Sequence, residues 1–240
     1  MSSRRTPQLL LLALSSALVL TACGHDNSSA PATSSPHPAA TPTSAPADQP
    51  LEIDPAHTAL LVMDMEQGIV SQLGSNDSAV TDIADAEQAS RKAGVAVDFV
   101  TTAFAPGYPE VSAGNQAFGT IIGSGKMLEG SPETRIDSRV APVGDEPVIT
   151  KHRVGAFTST GLDQILRAKQ IDTLVLTGVA TSGVILSTLR VAADLDYRVI
   201  VLSDCVADPD PEVNTVLLNK VFPTQAEVID SARYRTALGS

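Results

Sequence analysis

The residues of this 240-residue chain best suited to chemistry lie at the ends of three apolar runs. Asp64 closes Leu60-Leu61-Val62-Met63. A carboxylate directly after such a run is partly desolvated, which suits a general acid or base. Lys151 closes Val148-Ile149-Thr150 and can supply positive charge beside a carboxylate. The third place is the small-residue turn from Gly178 to Gly183, which follows Leu174-Val175-Leu176 and leads into a helical pattern. Free N–H groups at such a turn can hold developing negative charge. On residue type alone, Asp64 and Lys151 fit strand-end charges or a structural ion pair as well as a catalytic pair.

The elements that must position them alternate. Thr58–Asp64 reads as a first strand, Asp77–Lys92 as a helix with Asp77 or Ser78 as cap and Gly94 as stop, and Val95–Thr102 as a second strand. Residues 104–146 are rich in Gly and Pro and form an irregular insertion expected to cover the site. Val148–Lys151 is a third strand, followed by a helix capped at Thr158 or Thr160 and reaching Lys169. Thr173–Asp204 is strand, turn, helix and strand, the unit of a right-handed parallel crossover. Asp210–Phe222 reads as a helix and Glu227–Ile229 as a last strand. Alternation of this kind predicts a doubly wound α/β/α sandwich on a mainly parallel sheet, with chemistry at the carboxyl ends of its strands.

Ahead of this domain lies a different composition. Arg4 and Arg5 precede the apolar stretch Leu9–Leu20, which is short for a membrane span and suits a signal segment. Leu20-Thr21-Ala22-Cys23 resembles the lipobox of bacterial lipoproteins, in which the Cys is lipidated and becomes the first residue. Residues 24–50 hold six Pro and no Val, Ile, Leu or aromatic residue, so they have nothing to bury and read as an extended tether. The expected organisation is signal peptide 1–22, lipidated Cys23 with tether 23–50, and one domain over 51–240, exported and anchored outside the cytoplasm. Stable attachment then takes at least two acyl chains such as palmitate, because a single chain is marginal.

Net charge is −11, which argues against nucleic-acid partners and against docking on anionic lipid. The chain has two Cys; with Cys23 lipidated, Cys205 has no partner and no disulfide framework supports the fold.

Three blocks carry a family resemblance: TALLVMDMEQGIV, ITKHRVGAF and LVLTGVATSGVILSTLRVAADLDYRVIVLSD. They resemble, in order and spacing, the signature blocks of the isochorismatase-like (cysteine hydrolase) family, across residues 56–232. The resemblance implies about six mainly parallel strands and a triad of Asp, Lys and Cys, with Asp64 and Lys151 as the first two. It puts the nucleophile position on Val184, whose isopropyl group cannot attack a carbonyl. It also implies an oxyanion hole from the backbone N–H groups of Ala180 and Val184, and a cis bond between Val179 and Ala180. True isochorismatases also lack the Cys; there Gly stands at its position, and the Asp handles a proton during vinyl-ether cleavage. The expectation is hydrolysis of a small molecule without a thiol: Asp64 as acid/base, Lys151 as electrostatic support, and a backbone hole. The alternative is a binding protein that has lost its nucleophile. Family members often self-associate, so a homo-oligomer is a further expectation.

Other residues have secondary claims. Arg153 is a candidate carboxylate fork and Tyr108 a candidate pocket residue from the insertion. Glu66 stands where the family usually has Gln, and raises the pKa of Asp64 if both face the pocket. Cys205 reads as a buried small hydrophobe rather than a relocated nucleophile. Ser182 reads as a cap. His152 reads as structural, facing away from Lys151. No cofactor is implied; a metal site of the nicotinamidase type needs an Asp and His cluster, and the domain has only His57 and His152.

Overall fold

The computed structural model describes residues 50–73 and 78–239. The signal, Cys23, the tether up to residue 49 and the possible cap Asp77 lie outside those residues. No helix among the described residues is long and apolar enough to cross a membrane.

Six parallel strands form one sheet: β1 (Thr58–Met63), β2 (Ala96–Thr102), β3 (Val148–Lys151), β4 (Thr173–Val179), β5 (Arg198–Ala207) and β6 (Glu227–Ile229), in the order β3-β2-β1-β4-β5-β6. The helices are α1 (Gln67–Val70), α2 (Ser78–Ala93), α3 (Leu162–Ala168), α4 (Leu186–Asp194), α5 (Pro211–Val216) and α6 (Ser231–Ala237). Strand alternation explains why helices cover both faces. In β1, Ala59, Leu61 and Met63 pack into one core, with Leu166 of α3, Leu189 of α4 and Phe222. Leu60 and Val62 pack into the other, with Val80 and Ile83 of α2 and Tyr234 of α6. A strand buried on both faces must be apolar throughout, and β1 is buried at all six positions.

The helix boundaries follow local chemistry. Gly94, at φ +83°, ends α2, and Val95 N–H closes back on Ser90 O at 2.9 Å, a Schellman-type stop. The predicted Asp210–Phe222 helix is α-helical only over α5, which Asp210 caps by accepting from Glu212 N–H at 2.9 Å. It continues as a wide turn over Leu217–Val221 and a tight turn over Phe222–Thr224 that contains Pro223. Helix α6 was not expected from sequence; Asp230 caps it, and its Tyr234 hydroxyl meets Ser90 Oγ at 2.7 Å. The last crossover strand also runs beyond Asp204 to Ala207, past a bulge between the Leu176 and Gly178 pairings.

Candidate active site

Sheet order brings the first two candidates together. Strand β2 lies between β1 and β3, and Thr102 is in register with Lys151. Asp64 and Lys151 therefore stand two strands apart, roughly 10 Å of backbone, a gap that a lysine side chain can reach across. Asp64 leaves β1 in the left-handed region, at φ +56°, while its N–H still bonds Val100 O at 2.8 Å. Lys151 Nζ reaches Asp64 Oδ2 at 2.8 Å and Thr102 Oγ1 at 2.6 Å. The Thr102 hydroxyl donates in turn to Asp64 Oδ1 at 3.1 Å. Lysine has three N–H donors, so one is left for another acceptor. Lys151 is 1% exposed and Asp64 7%.

Electrostatics follow from this burial. Desolvation pushes the Asp64 carboxyl above its ordinary range, while the Lys151 charge and the bonds from Lys151 and Thr102 oppose the rise. Glu66 lies behind the pair. Its Oε1 accepts from Thr102 N–H, and its Oε2 is buried without a partner. Burial first, and the Asp64 charge second, raise its pKa to about 8. At neutral pH Glu66 therefore holds a proton, and a protonated glutamic acid offers the same acceptor-plus-donor pattern as the Gln for which it stands. Glu66 does not line the cleft, so the two carboxyls do not both face it.

The opposite wall comes from the end of β4. Gly178 has φ +126°, and a Cβ there would fall 1.9 Å from Met63 O, so only glycine allows β4 to lie this close to β1. The Val179–Ala180 bond is cis. A wide helical turn, Thr181–Ile185, follows and runs into α4. The Asp208 carboxylate, beyond the bulge of β5, accepts Ser182 N–H at 2.7 Å, and Thr181 Oγ1 donates to Asn214 Oδ1 at 2.6 Å. These bonds tie the turn to the chain after β5.

Asp64, Thr102 and Lys151 on one side, and Val179, Ala180, Gly183 and Val184 on the other, line one cleft of about 270 Å³. The insertion roofs it with Phe104, Phe118, Ile121 and Met127. A small core of Phe104, Tyr108 and Val111 supports the roof. Larger grooves exist, one of about 480 Å³ along Gln67, Ser71, Lys126 and Glu133, but the buried charge pair opens on the smaller one.

Several candidates are not brought into the cleft. Tyr108 turns into the insertion core and donates its hydroxyl to Lys126 O at 2.9 Å. Arg153 Nη1 is spent on Glu110 O at 3.0 Å and His152 O at 2.6 Å, so it ties the insertion down instead of facing the cleft. His152 Nδ1 meets Ala103 O at 2.7 Å, a structural contact. Ser182 is exposed, and its bonded group is the backbone N–H rather than a capping hydroxyl. Cys205 is fully buried in the core on the α2 side of the sheet, where burial pushes its thiol pKa far up and keeps it protonated. Sequence reasoning missed Thr102 and Asp208. Thr102 was legible as the end of the strand that must separate the other two; Asp208 follows a bulge that no residue pattern announces.

The doubly wound α/β sheet thus sets an acid–ammonium pair and a small-residue turn facing each other at the carboxyl ends of its strands. The isochorismatase-domain family model matches residues 58–233, and the chain belongs to the isochorismatase family of hydrolases. It is 30% identical to a ureidoacrylate amidohydrolase RutB of Methylobacterium radiotolerans over 215 residues, covering 80% of this chain and 83% of that one. Among solved structures, an isochorismatase family protein from Burkholderia thailandensis is 30% identical, with TM-score 0.67 over 79% of this chain and 98% of that one. A cysteine hydrolase from Pseudomonas syringae shares the fold at TM-score 0.72 and 23% identity, over 79% and 95%.

Proposed function

We propose that this domain hydrolyses a small molecule without a thiol, with Asp64 as general acid/base. The observation that carries the reading is the buried Asp64–Lys151 contact of 2.8 Å, braced by Thr102 and facing Ala180 and Val184 across one cleft. For an acyl substrate, Asp64 takes a proton from water as the water oxygen bonds to the carbonyl carbon. The backbone N–H groups of Ala180 and Val184 receive the oxyanion, worth about 3–4 kcal/mol per donor. Collapse breaks the bond to the leaving group, which takes the proton from Asp64. For a vinyl ether, Asp64 in its acid form protonates the alkene carbon. Water then adds to the oxocarbenium ion, and the hemiketal separates into carbonyl and alcohol, returning a proton to Asp64. Burial raises the Asp64 pKa, which makes its carboxylate a stronger base for the acyl sequence and brings its acid form within reach for the vinyl-ether one. Lys151 holds the carboxylate in place and balances its charge. The RutB relatives are named as amidohydrolases, which puts amides first among substrates to try.

The test is turnover of a panel of amides, esters and vinyl ethers. Wild type is expected to exceed Asp64→Ala on at least one substrate; equal rates on all of them would end this reading.

The same proposal puts the domain on the outer face of a membrane through lipidated Cys23, supported by Leu20-Thr21-Ala22-Cys23 and the tether. Cys23→Ser is expected to move the protein from the membrane to the soluble fraction; retention in the membrane would refute the anchor.

One observation favours a second reading, a non-catalytic binder. Val184 is 1% exposed, and its hydrocarbon side chain packs into the core beneath the cleft, at the position the resemblance gives to a nucleophile. This reading expects ligand-induced thermal stabilisation that Asp64→Asn leaves intact, and no turnover.

A further inference from the structure

Two buried carboxyls stand beside a single ammonium at the cleft. Asp64 accepts from Lys151 Nζ at 2.8 Å and from the Thr102 hydroxyl at 3.1 Å. Glu66, two residues on, is 0% exposed; Thr102 N–H donates to its Oε1, and its Oε2 is buried without a partner. Thr102 is therefore held from two sides, its backbone by Glu66 and its hydroxyl by Asp64 and Lys151. One lysine offsets one carboxylate. A second carboxylate here has neither water nor a counter-charge of its own, so burial keeps it in the acid form until the solution is alkaline. Asp64, in direct contact with the ammonium, ionises first. Glu66 ionises last, at about 8, held up by its burial and then by the Asp64 charge.

The charged groups that act on Glu66 are Asp64, at the end of β1, and Lys151, of β3. Strand β2 faces it with Thr102, and α1, which Glu66 precedes, holds no charged residue. From the insertion, Ile136 bridges to Glu66. Beside it Arg135 is exposed and Asp137 is bonded to Arg139 at 2.8 Å, while Glu133 accepts Met127 N–H at 2.9 Å.

We propose that Glu66 is a positioning residue for Asp64: as an acid it holds the end of β2 through Thr102 and leaves the Asp64–Lys151 pair balanced, and as an anion it sets a second negative charge against Asp64, which gives the site its alkaline limit. This rests on the acid/base reading of the cleft and adds its regulation by pH. Ionised Glu66 competes with Asp64 for the Lys151 charge, and it opposes the oxyanion that forms at Ala180 and Val184 during acyl hydrolysis. A Gln side chain has the hydrogen-bonding pattern of the acid and cannot ionise, so Glu66→Gln fixes the site in its neutral-range state.

The test is a pH titration of the full chain, followed by NMR at the carboxyl carbons of Asp64 and Glu66 and at the Thr102 amide. In wild type an alkaline step near pH 8 is expected at all three together. In Glu66→Gln, whose amide keeps the bond to Thr102 N–H, that step is expected to vanish from Asp64 and Thr102. No alkaline step in wild type, or the same step at Asp64 in the variant, would overturn the proposal. The second readout is the ratio of kcat/KM at about pH 9 to that at about pH 7, on an amide or ester that wild type turns over. It is expected to be about 10-fold lower in wild type than in Glu66→Gln, as for one ionisation centred near 8. Equal ratios would also count against the proposal. A shared alkaline step in a protein that turns over no substrate leaves the hold of Glu66 on Asp64 standing and removes the catalytic reading.

Discussion

Among the described residues, two aspartate–lysine pairs with the same chemistry stand at opposite ends of the sheet. Asp64–Lys151, at 2.8 Å, lies at the carboxyl ends of β1 and β3 with both partners buried. Asp98–Lys169, at 2.6 Å, joins the amino-terminal part of β2 to the residue that follows α3, and its lysine is about a third exposed. The first pair has Thr102 bridging it, a roof of aromatic rings and a backbone turn opposite. The second lines none of these and leaves Asp98 Oδ2 buried without a partner. Residue type does not separate the two; position on the sheet does. Parallel strands splay at their carboxyl ends to leave a crevice, so a pair there can reach a ligand, whereas a pair at the other end serves as a strut.

The contrast can be broken by substitution. The largest stability effect is expected from Lys151→Met, which leaves the Asp64 carboxylate buried without its counter-charge. Such removals cost about 3–5 kcal/mol, and denaturant titration would read the loss. Lys169→Met also leaves a buried carboxylate, Asp98, without its counter-charge, but Lys169 is about a third exposed and water can take its place, so the loss is expected to be smaller, about 1–3 kcal/mol. A larger loss at Lys169 than at Lys151 would invert the comparison.

Next in size is the pH response of Glu66. Its folded pKa of about 8 stands above the ordinary 4.5, so the folded state binds more protons than the unfolded chain between those values. Its contribution is fully present below about pH 4.5 and is lost as pH rises toward 8, at up to roughly 1.4 kcal/mol per pH unit. Glu66→Gln is expected to remove this component from the curve of stability against pH, because the amide supplies the same acceptor to Thr102 N–H without titrating. An unchanged slope in the variant would place the proton elsewhere.

The smallest effect is expected at Cys205. With its thiol protonated and buried, a maleimide should label it only after denaturation. Cys205→Ser should leave any hydrolytic rate unchanged; a loss of turnover without a loss of folding would show that this thiol takes part.

The sequence disclosed the fold to the extent that burial is periodic. Strands β3 and β6 appear with the bounds expected, because Val148–Lys151 and Glu227–Ile229 are short runs with clear stops. Strand β5 runs past its expected end at Asp204 to Ala207; polar Ser203 and Asp204 interrupt the apolar run and hide the continuation, and both sit in the bulge, where Asp204 accepts Ser231 N–H at 2.8 Å. Helix α6 escaped notice because Tyr234 is its only large apolar residue facing the core. In the cleft, Asp64 and Lys151 were legible as strand-end residues of a parallel sheet, whereas Ala180 and Val184 were singled out by the family resemblance alone. Arg153 and Tyr108 depart from the expected cleft positions because each bonds a carbonyl of the insertion, Glu110 O and Lys126 O, and hydrogen bonds of that kind leave no local pattern.

The most direct test of a thiol-free acid/base at the carboxyl ends of the strands is a comparison of kcat/KM for wild type, Asp64→Asn and Asp98→Asn on one substrate that the wild type turns over, all in a Cys205→Ser background. The expected result is a loss of about 10²–10⁴-fold for Asp64→Asn, as for removal of a general acid or base, with Asp98→Asn close to wild type. Equal activity in Asp64→Asn and wild type, or an equal fall in both variants, would contradict it.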